Sequence, residues 1–289
     1  MHDFQYFRPA TVAEAVALLA GQGGDARVLA GGTDLLIQMR AGLRRPARVV
    51  DVKRIPDLAR LDCDRASGLR IGAAVPCWRV AEDAGVRDVY PGLAEAAALI
   101  GSDQIQSRAT LAGNLCNASP AADTAPALIA LGATCVVAGP SGERTLPAEE
   151  VMQAPGRNAL APGELLVEIR VPAPPPRAAD CYQRLIPRNE MDIAVVGVGV
   201  ALAFEGDRCR AARVALGAVG PTPIVAREAA ATLVGTPVDD AALAAAAAAA
   251  TAAASPISDM RAPAEYRREI VGVLVRRVAS EAARRARAR

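Results

Sequence analysis

Histidine is almost missing from this chain: there is one, His2, in 289 residues. A Ser-His-Asp hydrolase, a histidine-ligated zinc enzyme and a histidine-bound haem all lose their usual ligand or base. His2 itself reads as part of a lightly packed N-terminal segment. Aromatic residues are only 3% of the chain, so the core must be built from Ala, Val, Leu and Ile. An excess of charge is also lacking: 33 basic and 31 acidic residues leave a net charge of +2. A general nucleic-acid binder would carry a basic surplus, so no nucleic-acid partner is expected. The six cysteines (Cys63, Cys77, Cys116, Cys135, Cys181 and Cys209) form no CxxC pair. Zinc-ribbon, thioredoxin and local ferredoxin sites are therefore excluded. No basic and apolar leader opens MHDFQYFRPA, so scattered cytoplasmic thiols are a plainer reading than three disulfides. No run of 18 apolar residues suggests a membrane span. The Ala-rich stretch Ala241–Ala254 comes nearest and reads as a soluble helix.

What is present is a chain that is 52% apolar, which excludes wholesale disorder. Its length suits one large or two medium domains. Thr11–Ala20 has helical spacing, with Thr11 as N-cap and Glu14 at the capping-box position. Strands are expected at Arg27–Ala30 and Arg48–Val52, joined by a helix Asp34–Arg40 that Gly42 closes. Together these make a βαβ-like unit of about 55 residues. Beyond it the pattern predicts strands at Leu69–Ala73, Thr134–Ala138 and Glu164–Val171. Helices are expected near Val80–Ala84 and Leu93–Ile100. Ser119-Pro120 reads as the N-cap and first residue of a helix running to Leu131. The proline run Pro172–Pro176 marks a linker. Behind it strands are expected at Cys181–Ile186, Ile193–Phe204 and Cys209–Val219. Helices follow at Val225–Val234, Asp239–Ala254 and Ala264–Ala288. The whole is α+β, with domains at 1–176 (subdomains about 1–55 and 56–176) and 177–289. The Arg-rich end of the last helix reads as a solvated terminus.

Four segments bear on chemistry. Gly21–Ala26 satisfies G-x-G-x-x-A, but it follows a helix and precedes a strand. That is the reverse of a dinucleotide fingerprint, and it is rejected. Val28–Leu36 (VLAGGTDLL) places two glycines between a strand and a helix. Backbone N–H groups could converge there on a diphosphate. An ordinary turn with Thr33 as N-cap fits as well. Thr110–Pro126 (TLAGNLCNASPAADTAP) is dense in small and polar residues. It could pack against a flat or charged ligand, with Asp123 accepting from ligand hydroxyls. It reads equally as a tight loop that satisfies itself. Tyr182–Ala194 (YQRLIPRNEMDIA) holds Arg184, Arg188 and Asp192. These could stabilise a developing negative charge or form a surface ion-pair cluster of little weight.

Five segments in order carry a resemblance: AGGTDLL (Ala30–Leu36), ATLAGNLCNASPAADTAPAL (Ala109–Leu128), GELLVEIRVP (Gly163–Pro172), RNEMDIA (Arg188–Ala194) and DMRAPAEYRR (Asp259–Arg268). The chain resembles the flavin-binding medium subunit of molybdenum hydroxylases, a group that includes xanthine dehydrogenase, carbon-monoxide dehydrogenase and hydroxybenzoyl-CoA reductase. The likeness covers nearly the whole chain. It implies a two-part FAD-binding domain of the vanillyl-alcohol-oxidase (PCMH) type. A small β-β-β-α-α-α C-terminal domain would follow.

Carried over by position, the resemblance places Ala30, Gly31, Gly32, Thr33, Asp34 and Leu35 around the FAD diphosphate. Thr110, Gly113, Asn114, Ser119 and Asp123 would line the diphosphate and ribityl side. Leu166 would touch the flavin region, and Arg184 would stand near the isoalloxazine ring where relatives often have Lys. A fixed cation there would favour the anionic reduced flavin. Arg188 and Asp192 would brace their loop. There are departures. Ala112 replaces a common Gly. Thr33-Asp34 looks more like the xanthine and hydroxybenzoyl-CoA branches. The Cys-rich insertion of the latter is missing after Gly113-Asn114, so no cluster site is expected and Cys116 reads as a packed residue.

The expected role is an electron-transfer subunit with no acid–base or nucleophilic group of its own and no metal on this chain. Molybdenum cofactor would sit on a large partner subunit and [2Fe-2S] clusters on a small one, in a heterotrimer or a dimer of heterotrimers. The alternatives are a stand-alone flavin-dependent oxidase or dehydrogenase and a flavin-free adaptor.

Overall fold

A computed structural model of the chain describes residues 2–21 and 25–289. Half of the rejected glycine motif Gly21–Ala26, residues 22–24, lies outside the described residues. The helix Val12–Ala20 precedes it and the strand Ala26–Leu29 follows.

The first fifty residues build a sheet of three parallel strands, in the order Gln5–Phe7, Arg48–Asp51, Ala26–Leu29. Its central strand is buried at every position, as expected of a parallel strand covered on both faces. Gln5–Phe7 is a strand the sequence pattern does not announce, being only three residues long. Thr11 does cap the first helix: its Oγ1 accepts the Glu14 N–H at 3.2 Å. Glu14 reaches back one residue further than the usual box, to the N–H of Ala10 at 2.8 Å.

Residues 56–171 add a five-stranded antiparallel sheet in the order Leu61–Asp64, Gly68–Gly72, Leu165–Val171, Thr134–Gly139, Gly142–Pro147. Helices cover it. The single helix expected near Val80 is two, Cys77–Glu82 and Ala84–Val89. They break at Asp83, whose Oδ1 accepts the Val86 N–H at 2.9 Å and so starts the second. One helix stands where small residues suggested a loop, Leu111–Asn117. The start expected at Ser119-Pro120 is displaced: those residues form a turn, and the helix runs Thr124–Ala130 behind Asp123. One core joins both sheets, from Ala15 and Val50 to Leu128 and Ile169.

After the coil at 172–175 comes an antiparallel sheet of four strands in chain order: Ala178–Leu185, Val196–Glu205, Arg208–Gly217 and Ile224–Val225. The short fourth strand takes Val225, expected to open a helix that begins instead at Arg227. Three helices, Arg227–Leu233, Asp240–Ala253 and Ala264–Arg287, cover one face. Alanines let the last two approach closely and make a second core with Val198, Val200 and Leu216. The other face of the sheet meets the helix Thr124–Ala130. Gly199 permits this, since a β-carbon there would fall 2.7 Å from the Pro126 carbonyl carbon. Tyr182 and Ala215 of this sheet belong to the first core.

The arginine-rich helix end is not simply solvated. Arg284 does pair with Glu281 at the surface. Arg285, however, bridges Glu281 and Glu95, and Arg289 donates to the carbonyls of Val89 and Ala178 at 3.1 and 2.9 Å. These contacts fasten the last helix to the first half of the chain. All six cysteines are free. Among the described residues no helix is long and apolar enough to cross a membrane.

Candidate functional site

The strand Ala26–Leu29 delivers the chain to Gly31-Gly32. Gly32 has φ +78°, the left-handed conformation that glycine adopts at no cost. Thr33 does not cap the following helix. Asp34 holds that position in an α-like conformation with no side-chain hydrogen bond, so no side chain takes the first N–H groups of Leu35–Arg40. Desolvation raises the Asp34 carboxyl above its ordinary value. Ala30, Gly31, Gly32, Thr33 and Leu35 are half-buried, and Asp34 is exposed.

Gly31 lies directly against the second segment, where a β-carbon would sit 2.8 Å from Ala109 Cα. Thr110 follows at once. Its buried Oγ1 accepts the Gly113 N–H at 2.9 Å and starts the helix Leu111–Asn117. A second tie joins the two segments: Gln38 Nε2 donates to Asn117 Oδ1 at 3.0 Å. The helix ends at Ala118 in the left-handed region, φ +52°. Ser119 Oγ then accepts the Ala121 N–H at 3.3 Å. Asn114 Oδ1 accepts from Thr124 Oγ1 at 2.7 Å, so the middle of this helix is bound to the start of the next. Cys116 packs against the core, and burial pushes its thiol up to about 12.

Asp123 precedes Thr124. It is nine-tenths buried, and each of its oxygens takes a donor from the C-terminal sheet. Tyr182 Oη donates to Oδ1 at 2.9 Å, and Arg184 Nη1 donates to Oδ2 at 2.5 Å. Burial lifts the Asp123 carboxyl to about 6, while the Arg184 charge and the Tyr182 hydroxyl pull it down. The same burial and the neighbouring carboxylate hold the Tyr182 phenol well above its ordinary value. Arg184 is therefore separate from the surface pair Arg188–Asp192, which also engages Arg261. Leu166 is fully buried in the strand Leu165–Val171, under the helix Leu111–Asn117.

The contacts make one continuous line. It runs from Gly31 to Ala109 and Thr110, through Gly113 and Asn114 to Thr124 and Asp123, and ends at Arg184. Leu166 and Ser119 are expected residues with no side-chain hydrogen bond into this line; Ser119 binds only the Ala121 N–H. Two features of this line suit an anionic ligand. A β-carbon on Gly113 would meet nothing but Thr110 Oγ1 within 4 Å, so the helix presents bare backbone there. At the far end Arg184 Nε is buried without an acceptor, a costly state for a charged donor. Tyr182 is a member the motifs alone did not single out. The signal was available, since residues two apart on a strand share a face.

The sequence model of the family described as "FAD binding domain in molybdopterin dehydrogenase" matches residues 2–174. That of "CO dehydrogenase flavoprotein C-terminal domain" matches residues 181–282. The chain belongs to the family of FAD-binding medium subunits of carbon-monoxide and xanthine dehydrogenase-type molybdenum hydroxylases. The carbon monoxide dehydrogenase medium chain of Afipia carboxidovorans is 37% identical, with 98% of each chain covered. A xanthine dehydrogenase FAD-binding subunit of Escherichia coli O157:H7 is 31% identical, covering 98% of this chain and 97% of its own. The solved structure titled "Reconstituted CO dehydrogenase from Oligotropha carboxidovorans" superposes with a TM-score of 0.94 at 37% identity. It covers 98% of this chain and 99% of its counterpart. The medium subunits of this family are parts of oxidoreductases, and residues 2–174 are this chain's FAD-binding domain.

Proposed function

We propose that the chain carries FAD as the electron-transfer subunit of a molybdenum hydroxylase. Electrons would arrive from [2Fe-2S] clusters on a small partner subunit and leave to an external acceptor. The substrate would be oxidised at a molybdenum cofactor on a large partner subunit. Bound FAD would supply the redox chemistry. We assign residues 1–176 to a FAD domain of the PCMH type, with subdomains about 1–55 and 56–176, and 177–289 to the C-terminal domain.

The residues divide the work by position. The turn Ala30–Leu35 offers backbone N–H groups and close approach to the diphosphate. Thr110, Gly113, Asn114 and Ser119 line the diphosphate and ribityl chain. Asp123 continues the ribityl side, Arg184 stands near the ring, and Leu166 touches the flavin region. The observation that carries the reading is the single line of contacts joining the two small-residue segments to Arg184. These elements are dispersed over more than 150 positions of sequence.

The test is an absorbance spectrum of the purified chain, with the released cofactor identified chromatographically. Flavin bands and released FAD are expected, together with co-purification of a large and a small subunit from the native source. A chain that takes up no added FAD would sink the reading.

A further inference from the structure

We propose that Asp123 and Tyr182 are positioning residues, which hold the Arg184 guanidinium at the ring end of the FAD site and compensate its charge there. The inference rests on the FAD reading above and goes beyond it. Arg184 does not act as a lone cation; a trio acts in its place.

The geometry supports this in three ways. First, Arg184 is held by one bond to the protein, from Nη1 to Asp123 Oδ2, while its Nε is buried without an acceptor. Its side chain is only 5% exposed. A guanidinium so far from water needs a counter-charge, and Asp123 is the carboxylate paired with it. Second, Asp123 cannot swing freely. Its other oxygen is held by Tyr182, whose ring is 3% exposed and packed into the first core. Tyr182 Oη has room because residue 197 is glycine; a β-carbon there would fall 2.8 Å from it. Third, the trio straddles the two halves of the chain. Asp123 starts a helix of the FAD domain, and Tyr182 and Arg184 lie on one face of the first C-terminal strand.

The electrical consequence has a sign. With Asp123 ionised, the ring end feels a compensated pair. Removing the carboxylate charge leaves a bare cation, which favours the more negative, reduced flavin and raises its potential. Removing the guanidinium leaves a bare carboxylate, which does the opposite. A role limited to packing would not move the two variants in opposite directions.

The experiment is a redox titration of the flavin absorbance in the full-length chain and in Asp123→Asn, Arg184→Met and Arg184→Lys. Asp123→Asn is expected to raise the reduction equilibrium constant about tenfold or more, and Arg184→Met to lower it by a similar factor. Arg184→Lys keeps the charge and should stay near the parent. Equal potentials in Asp123→Asn and Arg184→Met, or shifts of the same sign with FAD retained, would overturn the inference and leave FAD binding intact. If Asp123→Asn does not fold, Arg184→Met against Arg184→Lys decides, and identical potentials reject the charge role. A parent chain that holds no FAD would remove the functional reading and this inference with it.

Discussion

Gly31 and Ala109 meet backbone to backbone, with no room for a side chain between them. Here the turn behind the parallel N-terminal sheet touches the residue just ahead of Thr110, the cap of the helix that carries Gly113 and Asn114. Gly31→Ala must push the two segments apart. It is expected to cost about 1–3 kcal/mol of stability, the usual penalty for overpacking. Because the displaced turn is also the assigned diphosphate cradle, FAD retention should fall by a larger factor than stability alone predicts. Urea unfolding together with FAD released on gel filtration measures both. Wild-type FAD retention in this variant would disprove the assignment.

Asn114 and Thr124 are unequal partners. Thr124 is fully buried, and Asn114 is half-buried. Asn114→Ala strands the Thr124 hydroxyl where water cannot replace the lost acceptor, at about 1–3 kcal/mol. Thr124→Val leaves an amide that water can still reach, and should cost less. Chemical denaturation of both variants gives the order, and the reverse order would contradict it.

Asp180 sets a pH dependence. It is buried, its Oδ2 accepts the Leu93 N–H at 3.0 Å, and its Oδ1 has no partner. Burial pushes its carboxyl up to about 7, against the pull of the backbone N–H groups of Gly92 and Leu93. The unfolded value is about 3.9. The folded chain therefore holds this proton longer. The stability it contributes is full below about pH 4 and is lost as pH rises through about 7. Asp180→Asn keeps an acceptor for Leu93 and removes the titration. Its stability relative to the parent should grow by up to about 1.4 kcal/mol per pH unit between pH 4 and 7, then level off. Urea melts at pH 5, 6, 7 and 8 test this; a constant difference would refute it.

Arg267 is buried in the second core. It donates to the Val195 carbonyl at 2.7 Å, to the Ala218 carbonyl at 3.3 Å and to Asp259 at 2.7 Å. Arg267→Leu deprives these acceptors together and is expected to cost about 3 kcal/mol or more. The segment Asp259–Arg268 is thus a structural clasp on the last helix. Thermal unfolding should show a large loss. A loss under 1 kcal/mol would mean that water replaces the guanidinium.

The sequence reading and the structure part company at definite places. The long apolar strand Val196–Glu205, the Val-Val pair of Arg48–Asp51 and caps such as Thr11 were legible because local chemistry decides them. Gln5–Phe7 and Ile224–Val225 were not, because so few residues carry no period. Leu111–Asn117 looked like a loop because Gly and Asn weaken helical propensity. The Thr110 cap and the Asn114–Thr124 bond restore the helix, and the second of these is tertiary. The bonds of Asp123 to Tyr182 and Arg184 were not legible, since nothing local shows that these two approach it from about sixty residues away. The Arg-rich end read as solvated for the same reason: Glu95 is 190 residues distant. Side-chain type was visible in every case. Partner identity across the seam was not.

Tyr182 leaves the sheet of one half to pack inside the core of the other. The halves therefore cannot melt independently without exposing a phenol ring and abandoning Asp123. Heat should unfold the chain in a single calorimetric transition, although it has two cores. A ligand lying along the contact line would then strengthen the coupling between the halves as well as either half alone.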